Sequence, residues 1–300
     1  MAAGALVLVI VALGFASGSP EESFEPTAPR VVIAGFPSVA IPSTQLYQRQ
    51  ADGDPFVSQQ WALTQIGAAK AWTRSKGRGI RIGVVDTGVD LSHEELASKV
   101  VASTSCVGSG GSPERCSGNG QDVYGHGTHV SAIAAAVSGN GKGIAGVAPD
   151  AELVVARSLA SDGRGGAEGT IADVEAGLRW VVDQGADVVN LSLGTEIAGE
   201  SAGLAMLSDS ISYAWSRGAI PVLASGNNSG LGGANEPPDY QNLNAVIVGA
   251  SDDQGRLASY SGSVARAKWA IIAPGGSGAV SANEDEAAQQ AIVSAWWQPN

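Results

Sequence analysis

The sequence predicts an α/β fold: a doubly wound, mostly parallel sheet with helices on both faces. Short apolar runs recur along the chain at residues 80–86, 153–156, 188–193, 220–224, 245–248 and 270–272. Each is continuous instead of alternating, the mark of a strand covered on both sides. Helical patterns fall between the runs, and strand–helix alternation of this kind builds a parallel sheet. No period of roughly twenty to fifty residues suggests a repeat protein, so one fold carries the whole chain.

Taken in order, the segment 54–72, DPFVSQQWALTQIGAAKAW, leads into a short helix over 64–73. The run 80–86 follows and ends in Asp86, placing a carboxylate at the carboxyl end of a buried strand. Open α/β sheets keep their sites at that edge. A helix of small residues is predicted over 128–137, directly after Gly125-His126-Gly127. The glycines let backbone pack close behind the imidazole at the helix start. Over 170–184 the apolar residues Ile171, Val174, Leu178, Val181 and Val182 form one helical face, which should pack on the sheet. Residues 219–230, AIPVLASGNNSG, read as a buried strand ending in a Gly-Asn turn.

Composition bounds the function classes. With 300 residues, 44% hydrophobic and 15% charged, the chain can bury a full core as one large domain. The balance of 17 basic against 29 acidic residues, a formal charge of −12, argues against nucleic acid as a partner. Residues 1–18 carry an apolar run over 5–16 followed by small residues, and read as a signal peptide. A basic leading region is absent, so an uncleaved membrane anchor is the alternative, although about a dozen apolar residues are short for a stable span. Residues 19–50 are proline-rich and patternless apart from an apolar patch at 31–36, a linker or a prosegment remnant. Cys106 and Cys116 are the only cysteines and flank a Gly/Ser/Pro-rich insertion. In an exported protein they pair as a disulfide, contributing about 2–3 kcal/mol in the chain-entropy model.

The chemistry gathers at Asp86 and His126, because a buried Asp can orient an imidazole and stabilise its charged form. Of the other histidines, His93 reads as a surface or capping residue and His129 as structural. A zinc reading fails, since the pair at 126 and 129 lacks the i, i+4 spacing and intervening Glu of the helical metalloprotease motif. A dinucleotide reading fails because Gly77, Gly79 and Gly83 precede and enter a strand instead of following it. Ser192, Leu193 and Gly194 close one strand, and the glycine-rich turn at 163–166, including Gly165 and Gly166, follows another. An extended peptide could lie between them by strand addition.

The stretches IRIGVVDTGVD (80–90), YGHGTHVS (124–131) and AIPVLASGNNSG (219–230) resemble those of the subtilisin-type serine proteases, the subtilases, nearest in pattern to the thermitase-like branch. The resemblance runs from about residue 54 to the end and makes 51–300 a catalytic domain. It implies a secreted endopeptidase acting on proteins or peptides as a monomer, with Asp86 as orienting acid, His126 as general base and Asn227 as oxyanion donor. Ser192–Gly194 and Gly165–Gly166 would then line the cleft. The resemblance also implies a structural calcium ion (Ca2+) held at Asp54, Glu95, Val137, Asn140, Lys142 and Ile144. One part departs from the pattern. The family's Gly-Thr-Ser-Met-Ala has no counterpart, for the Gly-Thr pairs at 127, 169 and 194 lead into His129, Ile171 and Glu196. The nucleophile and the C-terminal part of the domain are therefore expected beyond residue 300, with IVSAWW near Ser294 as the strand before the serine loop. An inactive, peptide-binding subtilase fold is the alternative.

Overall fold

The computed structural model describes residues 30–33, 53–163, 166–195, 200–227, 239–277 and 291–295. In chain order its elements are β1 (Arg30–Ile33), α1 (Trp61–Gln65), α2 (Ala68–Trp72), β2 (Arg81–Asp86), β3 (Val100–Ser105), α3 (His126–Ala135), β4 (Glu152–Arg157), β5 (Ala160–Ser161) and β6 (Ala167–Thr170). They continue with α4 (Ile171–Asp183), β7 (Val188–Leu191), β8 (Gly194–Thr195), α5 (Glu200–Ser216), β9 (Ile220–Ala224), β10 (Val246–Ser251) and β11 (Trp269–Pro274).

Seven strands form one sheet in the order β11-β10-β9-β7-β2-β4-β3, and every neighbouring pair in it is parallel. Both faces are covered, as the continuous apolar runs require. On β2, Ile82 and Val84 point into a cluster with Val130, Ala132 and Ala135 of α3, while Val85 joins Ile171, Val174 and Leu178 of α4 on the other side. Each fully buried Val or Leu of this kind contributes roughly 1.5–3 kcal/mol relative to exposure. Thr170 caps α4 by accepting the Asp173 amide at 3.1 Å, which explains why that helix starts where its apolar face begins. Among the described residues, no helix is long and apolar enough to cross a membrane.

Several expectations shift. The helix over 64–73 is two short ones, broken at Gly67, whose φ of 68° lies in the left-handed region that glycine tolerates. The run 188–193 leaves the sheet after Leu191, because Gly194–Thr195 joins a second sheet. Strand β3 has no continuous apolar run, being an edge strand whose Ser103 and Ser105 are only half-buried. Residues 291–295 form no strand: the Ser294 hydroxyl donates to the His129 carbonyl at 2.7 Å and the Trp61 indole to that of Ala291 at 3.0 Å.

The second sheet has four strands in the order β5-β6-β1-β8. Strand β1 lies inside it, antiparallel to β6 through Arg30↔Thr170 to Ile33↔Ala167 and antiparallel to β8 through Val31↔Thr195 and Val32↔Gly194. The backbone of residues 30–33 is paired on both edges. The signal-peptide reading of 1–18 falls outside the described residues.

Candidate active site

Parallel pairing builds the site by bringing strand ends to one edge. Strands β9, β7 and β2 are neighbours, with Val84 level with Asn190 and Leu191 level with Leu223. Asp86 ends β2, the Ser192–Gly194 segment follows β7 and Asn227 follows β9, so all three leave the carboxyl edge of adjacent strands. Asn227 stands three residues past β9 and bridges to Ser261. Behind it Gly262 is packed so tightly that a Cβ would come within 2.1 Å of the Ser225 carbonyl.

Asp86 and His126 are both fully buried, and the Asp86 Oδ1 to His126 Nδ1 distance is 2.6 Å. An ionised carboxylate only accepts, so the imidazole carries its proton on Nδ1 and leaves Nε2 as the basic nitrogen. The same Asp86 oxygen accepts the Thr87 amide at 2.7 Å, while Oδ2 has no partner among the described residues. His126 opens α3, and its flanking glycines are required. Gly125 has a φ of 112°, and a Cβ on Gly127 would sit 2.0 Å from the Gly88 carbonyl oxygen. His129, one turn on, is buried, and burial drives its pKa down to about 3, with His126 adding to the effect. His93 accepts the Glu95 amide at 3.2 Å within a run of turns.

Beside this corner lies the groove between β6 and β8. Gly169 approaches so closely that a Cβ would meet the Ser158 carbonyl at 2.3 Å, and Gly166 donates its amide to Asp162 at 2.9 Å. Ser192 accepts from the Asn190 amide side chain at 2.9 Å, and Leu193 is partly buried beside the core. Gly165 lies outside the described residues. Strand β1 occupies the space between them, and because it runs antiparallel to β8 its register with β8 descends from Thr195 to Gly194.

The loop 137–144 lies against Asp54 and Glu95. Asp54 accepts the amides of Gly139, Asn140 and Gly141 at 2.7–3.2 Å, and the Asn140 side chain donates to Glu95 Oε1 at 2.8 Å. Glu95 Oε2 is buried without a partner among the described residues, and desolvation, with the charge of Asp54 adding, pushes the carboxyl pKa up to about 7. Lys142 reaches outward to Glu94. No group of three or more His, Cys, Asp or Glu among the described residues could hold a metal. Cys106 and Cys116 are bonded to each other, and Asp173 on α4 grips their loop by accepting from the amides of Gly108 and Gly110 and the Ser109 hydroxyl at 3.0–3.1 Å.

Sequence reasoning did not single out Asp122, Thr87 or Asp173. Asp122 carried a readable signal, an acid four residues ahead of a histidine at a helix start, where carboxylates satisfy exposed amides.

With this geometry in view, a model of the subtilase family matches residues 77–297. Thermitase of Thermoactinomyces vulgaris is 39% identical over 209 residues, covering 69% of this chain and 68% of thermitase. A thermophilic serine proteinase of Bacillus sp. strain AK1 is 38% identical over 207 residues, covering 68% of this chain but 46% of its own length, so this chain spans about half of that relative. Among solved structures, a protease of Pseudoalteromonas arctica superposes with a TM-score of 0.63 at 25% identity, covering 79% of this chain and 76% of that one.

Proposed function

The chain belongs to the subtilase family, and from that premise we propose that it serves as a secreted, monomeric serine endopeptidase with Asp86 and His126 as two members of its triad. The observation that carries this reading is the buried 2.6 Å contact between Asp86 and His126 Nδ1. His126 Nε2 takes the proton of a serine as its oxygen attacks the scissile carbonyl carbon. The C–N bond then breaks, and the leaving amine receives that proton from the imidazolium. Water, deprotonated by the same nitrogen, resolves the acyl ester. Asp86 holds the ring and balances its transient charge, and Asn227 donates to the oxyanion. The serine belongs in a Gly-Thr-Ser segment after residue 300, since no Gly-Thr pair here supplies it.

A calcium ion would fit the loop at 137–144, because Glu95 Oε2 is buried there without a partner among the described residues. Asp54, Glu95, the Asn140 side chain and the carbonyls of Val137, Lys142 and Ile144 would hold it, and the ion would supply charge neutralisation to this loop.

A second reading, peptide binding without cleavage, is favoured by the backbone pairing of residues 30–33 in the groove. Casein hydrolysis separates the two. Protein expressed from the full locus should cleave casein, be blocked by a serine-directed inhibitor, and lose on the order of 10³-fold or more in His126→Ala. Peptide binding without any inhibitor-sensitive turnover from that full product would leave the binding reading standing.

A further inference from the structure

We propose that Asp122 is a positioning residue that holds the Asp86–His126 pair in register. The proposal rests on the reading of that pair as the working acid and base, and concerns how the fold fixes it.

The turn carrying His126 has little hold of its own. Gly125, the residue before α3, makes no side-chain cap bond, and the two glycines around His126 have no side chains to anchor. The anchoring comes from outside the helix. Asp122 is buried, 1% exposed, and both of its oxygens are in use. Oδ1 accepts the Thr87 hydroxyl at 2.9 Å and the amides of Tyr124 at 3.0 Å and Gly125 at 2.9 Å. Oδ2 accepts the amide of Thr128 at 2.9 Å and its hydroxyl at 2.5 Å. A carboxylate can accept all of these bonds; no neutral side chain of its size can.

The bonds close a circuit around the reacting pair. Thr87 follows Asp86, and its amide donates to the same Asp86 oxygen that faces His126. The Thr87 hydroxyl donates to Asp122 while accepting the Gly127 amide at 2.9 Å. Thr128 accepts the Asp90 amide at 2.9 Å, tying the helix start to the chain just beyond β2. One carboxylate therefore grips the residue after the acid and the residues on either side of the base. Hydrogen bonds to a charged acceptor are short and strong, which suits a joint whose tolerance is a fraction of an ångström.

The test is spectroscopic and needs no catalysis, so the absence of turnover leaves it intact. In the histidine-labelled 300-residue protein, the Nδ1–H of His126 should give a downfield, slowly exchanging proton resonance. Asp122→Asn keeps the size but sets an amide donor against a backbone donor, and should broaden that resonance or speed its exchange by about tenfold or more. Thr87→Val should act in the same direction, and Thr87→Ser, which keeps the hydroxyl, should restore the parent signal. Val174→Ala, in the opposite core cluster, serves as a control that lowers stability without touching the circuit. An unchanged resonance in both Asp122→Asn and Thr87→Val overturns the proposal, as does an equal change in Val174→Ala. Should Asp122→Asn not fold, the Thr87 pair decides alone. Absence of the downfield signal from the unsubstituted protein would instead sink the reading of Asp86 and His126 as a working pair.

Discussion

The Asp86–His126 corner, at the carboxyl edge of the seven-stranded sheet, and the groove in the four-stranded sheet are held in different ways. The corner is built on six-residue parallel strands, its side chains are buried, and Asp122 alone accepts five hydrogen bonds there. The groove is bounded by β8, only two residues long, and by β6, and its central strand is the chain's own segment 30–33, joined by backbone pairing. A chemical site needs fixed distances before any substrate arrives. A peptide groove needs only open backbone edges, which an occupant completes.

The largest effect should come from breaking the corner. Gly127→Ala drives a Cβ to 2.0 Å from the Gly88 carbonyl, backbone against backbone, so neither side can yield cheaply. Its unfolding free energy in a denaturant titration should drop by more than the ~1–3 kcal/mol of ordinary overpacking; a loss under 1 kcal/mol would show the corner to be pliant.

Next comes the loop at Glu95, which resembles neither region, since its charge is unsatisfied. The folded carboxyl titrates near 7 against 4.5 for an ordinary Glu, so between those values the folded state holds a proton the unfolded chain has released. In calcium-free buffer this group's contribution to stability should therefore fall as pH rises from about 4.5 to 7, by on the order of 3 kcal/mol at most. His129 opposes it at lower pH. With a folded value near 3, it stays neutral while the unfolded chain protonates, so its contribution falls as pH drops below 6.5. Glu95→Gln should flatten the upper slope and abolish any rise in melting temperature on adding calcium at pH 7. A variant that still responds fully to calcium would remove Glu95 from the ligand set.

The disulfide probes the groove's flank. Replacing both Cys106 and Cys116 by Ser should cost about 2–3 kcal/mol. Because Asp173 ties the disulfide loop to the helix that follows β6, amide exchange should quicken in residues 167–170 while the His126 resonance keeps its position. Equal disturbance of both would mean that corner and groove are one cooperative unit.

Smallest in stability is the groove's occupant. Val32→Pro removes an amide from β1, which a ladder cannot spare, yet should change global stability by less than about 1 kcal/mol. Binding of a fluorescent peptide of the sequence PRVVIAG should tighten as the groove empties, measured by anisotropy; no change would mean the groove is not where peptides bind.

The contrast also explains what could be read in advance. The Asp86–His126 pair was visible because each residue announces itself locally, Asp86 at the end of an apolar run and His126 between glycines before a helix. The strands of the parallel sheet were visible for the same reason. Strand β3 escaped because an edge strand needs no continuous apolar run, and β1 because four residues in a proline-rich stretch carry no pairing information. Asp122 escaped because its role lies in five hydrogen bonds from four residues spread over 87 to 128, which only folding gathers.

By itself the sequence determined the strand–helix alternation, the buried faces, and the placing of an acid and a base at strand and helix ends, since these follow from periodicity and local sterics. Tertiary structure alone decided that Asp86 and His126 touch, that Asp122 clamps them, and that residues 30–33 enter the groove. Those outcomes depend on pairings between distant segments, whose energy exists only once the sheet has brought their backbones within hydrogen-bond reach.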